Sequence, residues 1–225
     1  KQYVFEDMNK AQGGDFRSGI NSEFNEVIWF YVSGAATVID RYVIYNYEEN
    51  IWYYGSLNRT TWVDSGTIPF PLATSNGYVY RHEDGNNDGQ PAGAAPLAID
   101  SFIQSADMGI DEGDFFVLTK RVIPDVNFTN SETVDPVTGA DLTPEVQVTV
   151  GVRNFPGATL STSDVGGNTL TREVITTATI DQYTNQVFVR ARGRQMAFKI
   201  ASEDVGVQWQ LGMARVDFKP DGRRG

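Results

Sequence analysis

Along most of the chain, apolar and polar positions alternate with a period of two. The stretches EVIWFYV (26–32), DRYVIYNY (40–47), NIWYYG (50–55) and NGYVYRH (76–82) are short, aromatic and β-branched. Each reads as a half-buried strand, because side chains on an extended backbone point alternately to opposite faces. Between them lie SGAA (33–36), NYEEN (46–50) and SNG (75–77), whose Gly, Asn and Ser supply turn chemistry. The spacing predicts one antiparallel four-stranded sheet, its faces packed by Trp29, Tyr31, Tyr42, Tyr45, Trp52 and Tyr54. That is the size of a β-propeller blade, about 40–50 residues of four strands. One blade leaves a face to be covered, so further blades are expected upstream of Lys1 or on a partner chain. The start at Lys1 rather than Met agrees with that expectation.

The stretch EDGNNDGQPAGAAP (83–96) has almost no apolar bulk and reads as a linker between a blade-like region, 1–82, and a second domain, 97–225. Alternation resumes in LAIDSFIQS (97–105), DFFVLTKRVIPDV (114–126), EVQVTVGVR (145–153), REVITTATI (172–180), NQVFVRARG (185–193), QMAFKIAS (195–202), VGVQWQLG (205–212) and MARVDFKP (213–220). Eight such segments suggest a β-sandwich. The Ser/Thr/Gly/Pro-rich stretches 127–144 and 154–170 read as long loops, and no helix of ordinary length is predicted. The expected fold class is therefore all-β, with β-propeller-type blade(s) followed by a β-sandwich-like C-terminal domain.

Composition narrows the function classes. The 225 residues include no cysteine, which excludes disulfides, thiolate nucleophiles and Cys-type zinc sites. No apolar run approaches the ~20 residues that a membrane-spanning helix needs. Net charge is −11, unevenly spread: residues 1–186 hold 10 basic and 25 acidic side chains, residues 187–225 hold 8 and 4. An acidic body with a basic end argues against a broad nucleic-acid surface, since neutralising phosphates takes Lys and Arg in excess. Such a basic end more often meets an acidic neighbour or a second copy of the chain.

Four constellations are candidates for chemistry. Asp84, Asn86, Asp88 and Gly89 occupy positions 1, 3, 5 and 6 of a calcium-loop pattern. The closing position is Ala95 rather than a carboxylate, so Glu83, Asp107 or Asp111 would have to complete the shell; a solvated turn is the plainer reading. His82, the one histidine, is the only side chain able to act as the base of a Ser-His-Asp set, yet no G-x-S-x-G elbow accompanies it. Asp107, Asp111, Glu112 and Asp114 crowd one turn, and paired carboxylates about 5–10 Å apart are what glycoside hydrolysis requires. Acids adjacent in sequence are also ordinary for an exposed hairpin. Finally, Arg190, Arg192 and Arg194 alternate with Val189, Ala191 and Gly193, which on an uninterrupted strand puts the guanidinium groups on one face. Gly193 is positioned to bulge the strand and disturb that phase. No catalytic, cofactor or metal residue is assigned from these patterns.

The segment EVIWFYVSGAATVIDRYVIYNYEENIWYYGSLNRTTWVDSG, followed by GYVYRHEDG, resembles the last propeller blade of tail nozzle proteins of short-tailed bacteriophages, also called tail tubular protein B-like. IDSFIQSADMGIDEGDFFVLTKRVIPDV and VFVRARGRQMAFKIASEDVGVQWQLGMARVDFKPDGRR resemble the C-terminal part of related virion proteins. The likeness spans most of the chain except the loops near 127–144 and 154–170. It implies a structural virion protein without active-site residues or cofactor, set in a ring of copies, often six, at the distal tail. Such a ring is a channel for genome ejection, with DNA in transient passage and adaptor and fibre proteins as neighbours. The competing expectations are a β-rich receptor- or carbohydrate-binding adhesin, calcium-stabilised at 84–89, and a glycan-cleaving enzyme using the acids near 107–114.

Overall fold

A computed structural model describes residues 2–89, 95–109, 115–135, 138–153 and 173–222. The protein is all-β: among the described residues the longest α-helix is the six-residue α1 (Gln2–Asp7), and the strands form several antiparallel sheets. The chain divides into two compact units, 1–84 and 85–225.

In the first unit, β1 (Arg17–Asn21), β2 (Glu26–Tyr31), β3 (Arg41–Asn46) and β4 (Ile51–Ser56) form a four-stranded antiparallel meander in sequence order. Three of these were expected. The fourth was not: β1 takes the place expected of residues 76–82, which instead form β7 (Tyr78–Arg81) in a separate sheet with β5 (Thr61–Val63) and β6 (Leu72–Ser75). The reason lies at Gly19. A side chain there would run into Trp62 of β5, its Cβ well under 3.0 Å from the indole ring. Gly19 weakens the strand signal of RSGIN because that spot on the sheet is reserved for Trp62. The Trp62 Nε1–H donates to the Ile20 carbonyl at 2.8 Å, and the indole lies 6.0 Å from the Phe30 ring.

Register gives the meander two distinct faces. Ile28, Phe30, Tyr42 and Ile44 lie on one, where Ile28 and Phe30 join Val32 and Ile39 in a buried cluster with Trp62 packed against it. Ile20, Val27, Trp29, Val43, Tyr45, Trp52 and Tyr54 lie on the other. Among the described residues α1 covers one end of this second face. There Tyr3 stacks 4.4 Å from Tyr54, and the Tyr31 hydroxyl donates to Asp7 at 3.0 Å. Arg41 lies 3.1 Å from Asp40, which also accepts from the Ser33 backbone N–H and hydroxyl.

The turns follow their sequences. Asn76 and Gly77, at φ 51° and 80°, form a two-residue connection between β6 and β7, the geometry that Asn-Gly favours because both residues must take positive φ. In the β3–β4 loop, the Asn46 side chain accepts from the backbone N–H groups of Glu48 and Glu49.

The second unit opens with β8 (Asn87–Asp88), paired with β9 (Leu97–Ala98). Regular structure thus begins inside the stretch expected as a linker. A larger sheet runs β10 (Ser101–Gln104), β17 (Gln195–Ser202), β14 (Glu145–Arg153), β15 (Glu173–Asp181), with β11 (Met108–Gly109) also on β17. A three-stranded sheet runs β16 (Val187–Gly193), β12 (Val117–Ile123), β19 (Arg215–Pro220), and β13 (Val126–Asn127) pairs with β18 (Gln210–Leu211). Alternation decides which side chains go inward. Val146, Val148, Val150 and Val152 of β14, Val187, Val189 and Ala191 of β16, and Val117 and Val122 of β12 form one buried cluster with Ile180, Met196, Ile200 and Phe128. At about 1.5–3 kcal/mol for each fully buried large aliphatic side chain, this cluster is the chief source of the unit's stability. The stretch expected as a loop at 154–170 lies outside the described residues; among the described residues of 127–144, regular structure is limited to β13's end and one bridge, Val134 with Asp141.

Replacing Gly19 by Ala is expected to lower stability by about 1–3 kcal/mol, as overpacking does when the obstructing ring must shift. A urea midpoint that stays unchanged would show that Trp62 does not press on β1.

Candidate functional site

The uncovered part of the meander's second face is an aromatic surface. Trp52 stacks 4.6 Å from Tyr45 and 5.9 Å from Trp29, with interplanar angles of 29° and 20°. Cross-strand register explains the cluster: Val27, Tyr45 and Trp52 sit opposite one another on β2, β3 and β4. Trp52 is still 60% exposed, and Ile20 and Tyr54 are exposed as well. Among the described residues β4 is hydrogen-bonded only to β3, so its outer backbone edge is unpaired. An open aromatic face beside an unpaired edge is a surface suited to packing against protein or stacking against a flat ligand.

His82 lies on the unit's other side chain cluster. It accepts at Nε2 from the Arg59 Nε–H at 2.9 Å, and its ring lies 4.8 Å from Trp62. Arg59 is buried, its guanidinium 4.0 Å over the Tyr80 ring. Burial first, and the Arg59 charge second, depress the His82 pKa to about 4. The imidazole is therefore neutral at pH 7 and its Nε2 lone pair is engaged by an arginine, a poor arrangement for a general base. The sequence placed His82 at a strand end; it held no sign of Arg59, 23 residues away.

The 84–89 run is engaged in structural contacts. Asp84 forms an ion pair with Arg81. Asn86 donates to the Asn130 carbonyl at 2.7 Å, while Asn87 donates to Glu132 at 3.0 Å and accepts from the Gly206 N–H at 2.6 Å. Asp84 and Asn86, candidates only by their match to the calcium pattern, thus have other partners, and Asn87, outside the pattern's ligand positions, is the residue that anchors the second unit's start. Among the described residues no group of three or more His, Asp or Glu is arranged to hold a metal ion.

Of the clustered acids, Asp107 pairs with Arg153 at 3.4 Å. Asp111, Glu112 and Asp114 lie outside the described residues, as do residues 90–94 of the stretch expected as a linker, 83–96. Two pockets stand out. One of about 150 Å³ is lined by Glu132, Glu145 and Asp204; the other, about 110 Å³, by Met108, Val117, Met196 and Phe218 with Arg194. Both are smaller than the roughly 300 Å³ at which sites for drug-sized molecules and cofactors begin.

The arginine stripe is two-thirds as expected. Arg190 and Arg192 share the exposed face of β16 with Phe188, while Val187, Val189 and Ala191 point inward. Arg192 is not held for a neighbour: it pairs with Asp221 and lies 4.3 Å over Phe116. The strand breaks after Gly193, and Arg194 turns to the half-buried side, its Nε enclosed without a hydrogen-bond partner. The bulge expected at Gly193 is absent: Gly193 stays in register with Val117, the irregularity of this strand pair falls between Thr119 and Arg121, and Arg194 leaves the stripe because it is the single residue between β16 and β17.

No protein-family model matches the chain, and a search of curated proteins finds no match. Among the described residues no helix is long and apolar enough to cross a membrane.

Because the folded His82 pKa lies below its ordinary value of 6.5, the unfolded chain takes up a proton that the folded chain refuses. The stability due to neutral His82 is full above about pH 7 and is lost as pH falls from 6.5 through 4, worth at most about 2 kcal/mol after discounting for a partly solvated ring. As the only histidine, His82 is readily followed by NMR. The expected titration midpoint is near 4; a midpoint near 6.5 would contradict the Arg59 contact.

Proposed function

We propose that the protein is a structural component of a phage tail, a nozzle or tail-tube protein of the virion that contributes to a ring-shaped channel for genome ejection. It acts by assembly rather than by chemistry. The observation that carries this reading is the β1–β4 meander, with one face buried under Trp62 of the following sheet and the other left aromatic and open. That is how a blade of a β-propeller is built: each four-stranded sheet covers one face of its neighbour and needs another sheet for its own remaining face. In this reading Ile20, Trp29, Trp52 and Tyr54 are the surface against which the next blade or another copy packs. The second unit, whose core is shared by the sheet of β14 and the sheet of β16, is the β-sandwich-like domain of such a protein.

The same aromatic face favours a second reading. Exposed Trp and Tyr rings are also the platforms on which sugar rings stack, as in a receptor- or carbohydrate-binding module.

The two readings part on Trp52. Trp52→Glu loses the stacking on Tyr45 and Trp29, at a cost of about 1–3 kcal/mol, so circular dichroism is needed beside it to show that the variant is folded. Negative-stain images of the purified chain are expected to contain rings with a central hole, and Trp52→Glu to disperse them. Particles without rings, together with oligosaccharide binding that Trp52→Ala abolishes, would overturn the assembly reading in favour of the adhesin.

A further inference from the structure

The outer face of the β16–β12–β19 sheet concentrates positive charge in an acidic protein. Cross-strand register sets Arg192 beside Leu118 and Lys219, Phe188 beside Arg121 and Asp217, and Ile123 beside Arg215. Arg190 lies between Phe188 and Arg192 on the same exposed side of β16, and Lys120 is exposed at the bulge of β12. Six of the chain's 18 basic residues thus share one three-stranded sheet. Two are neutralised within the chain, Arg121 by Asp217 at 2.9 Å and Arg192 by Asp221. Lys120, Arg190, Arg215 and Lys219 remain, around a Phe188 that is 73% exposed. An exposed aromatic ring ringed by cationic side chains has the composition of a protein interface, in which aromatic residues and Arg are enriched.

The same unit carries a complementary surface. Glu145 and Asp181 are direct cross-strand partners at one end of the β14–β15 pair, a like-charge arrangement that destabilises an isolated sheet. Glu145, Glu132 and Asp204 line one pocket, and Glu203 is exposed beside Asp204. Glu132 has one carboxylate oxygen enclosed there without a hydrogen-bond partner. This end of the sheet carries excess negative charge, the β16–β12–β19 face excess positive charge.

We infer that the β16–β12–β19 face docks onto the Glu132/Glu145/Asp204 end of a second copy of the chain. Each copy then carries one basic and one acidic docking surface. Where these two surfaces engage different neighbours the contact is head-to-tail, and repeated contacts of that kind close into a ring or run on as a filament. The inference rests on the ring reading above and names the surfaces that would build the ring. Nucleic acid is the weaker occupant, because two of the six cations are already spent within the chain and the molecule as a whole carries −11.

Sedimentation velocity tests the contact, with circular dichroism to verify folding. The native chain is expected to associate at about 50 mM salt and to dissociate substantially by about 500 mM, where screening shortens to a few ångströms. Arg190→Glu with Lys219→Glu, and separately Glu145→Lys with Asp204→Lys, are each expected to weaken association at least tenfold. An equimolar mixture of the two variants is expected to reassociate, since each reversed surface then meets a complementary one. Association indifferent to both charge reversals would overturn this contact while leaving the ring reading intact. A native chain that stays monomeric at every salt concentration would remove the ring reading itself. A monomer that binds duplex DNA, and loses it with Arg190→Glu and Lys219→Glu, would assign the face to nucleic acid instead.

Discussion

The larger sheets of this protein each have two faces, and among the described residues the buried packing lies on one of them. Strand alternation makes that a geometric constraint: turning Val146, Val148, Val150 and Val152 inward on β14 necessarily turns Gln147 and Thr149 outward. In the second unit the constraint is met from within, because the inward faces of the five-stranded and three-stranded sheets enclose the same buried cluster. Their outward faces are mixed: arginines and lysines beside an exposed Phe188 on the three-stranded sheet, and Phe102 and Ile103 exposed on β10. In the first unit the constraint is only half met: Trp62 closes one side of the β1–β4 meander, while the other side stays aromatic beyond the reach of α1. The proposed function follows from that asymmetry.

Polar groups serve to fix the positions of these layers. Asp40 binds Ser33 twice and Arg41 once, tying together both ends of the β2–β3 connection. The Tyr31 hydroxyl, nearly inaccessible, reaches Asp7 and so pins α1; burial, with the Asp7 hydrogen bond second, raises the Tyr31 pKa and keeps it a neutral donor. Asn87 does the equivalent in the second unit by linking Glu132 with Gly206, whose positive φ of 76° suits glycine. Each is a short-range clamp between segments distant in sequence.

Legibility in the sequence tracked locality. The expected bounds of β14 and β17 match the observed ones; in β14 the regular recurrence of Val at every second position is a local property, and β17 is a short apolar run set off by Arg194 and Glu203. The Asn76-Gly77 turn was equally plain. By contrast, β1 was hidden because Gly19 answers to Trp62, 43 residues on, and not to its own neighbours. The segment VGVQWQLG alternates as a strand does, yet only Gln210–Leu211 pair; Val207 and Trp209 pack on the core and the Trp209 indole reaches Ser101 without a ladder. Among candidate sites, the alternation of Arg190 and Arg192 could be read, but not the hold of Asp221 on Arg192 across 29 residues. The calcium-like pattern picks out Asp84, Asn86 and Asp88 and gives no sign of Asn87, whose contacts with Glu132 and Gly206 depend on residues more than 40 positions away.

The central claim is that this chain works as one member of an assembly, its open aromatic face covered by another sheet. The most direct measurement is the molar mass from light scattering across a concentration series at low salt. The mass is expected to converge on a fixed multiple of the single-chain value as concentration rises. A mass equal to one chain throughout the series would contradict it.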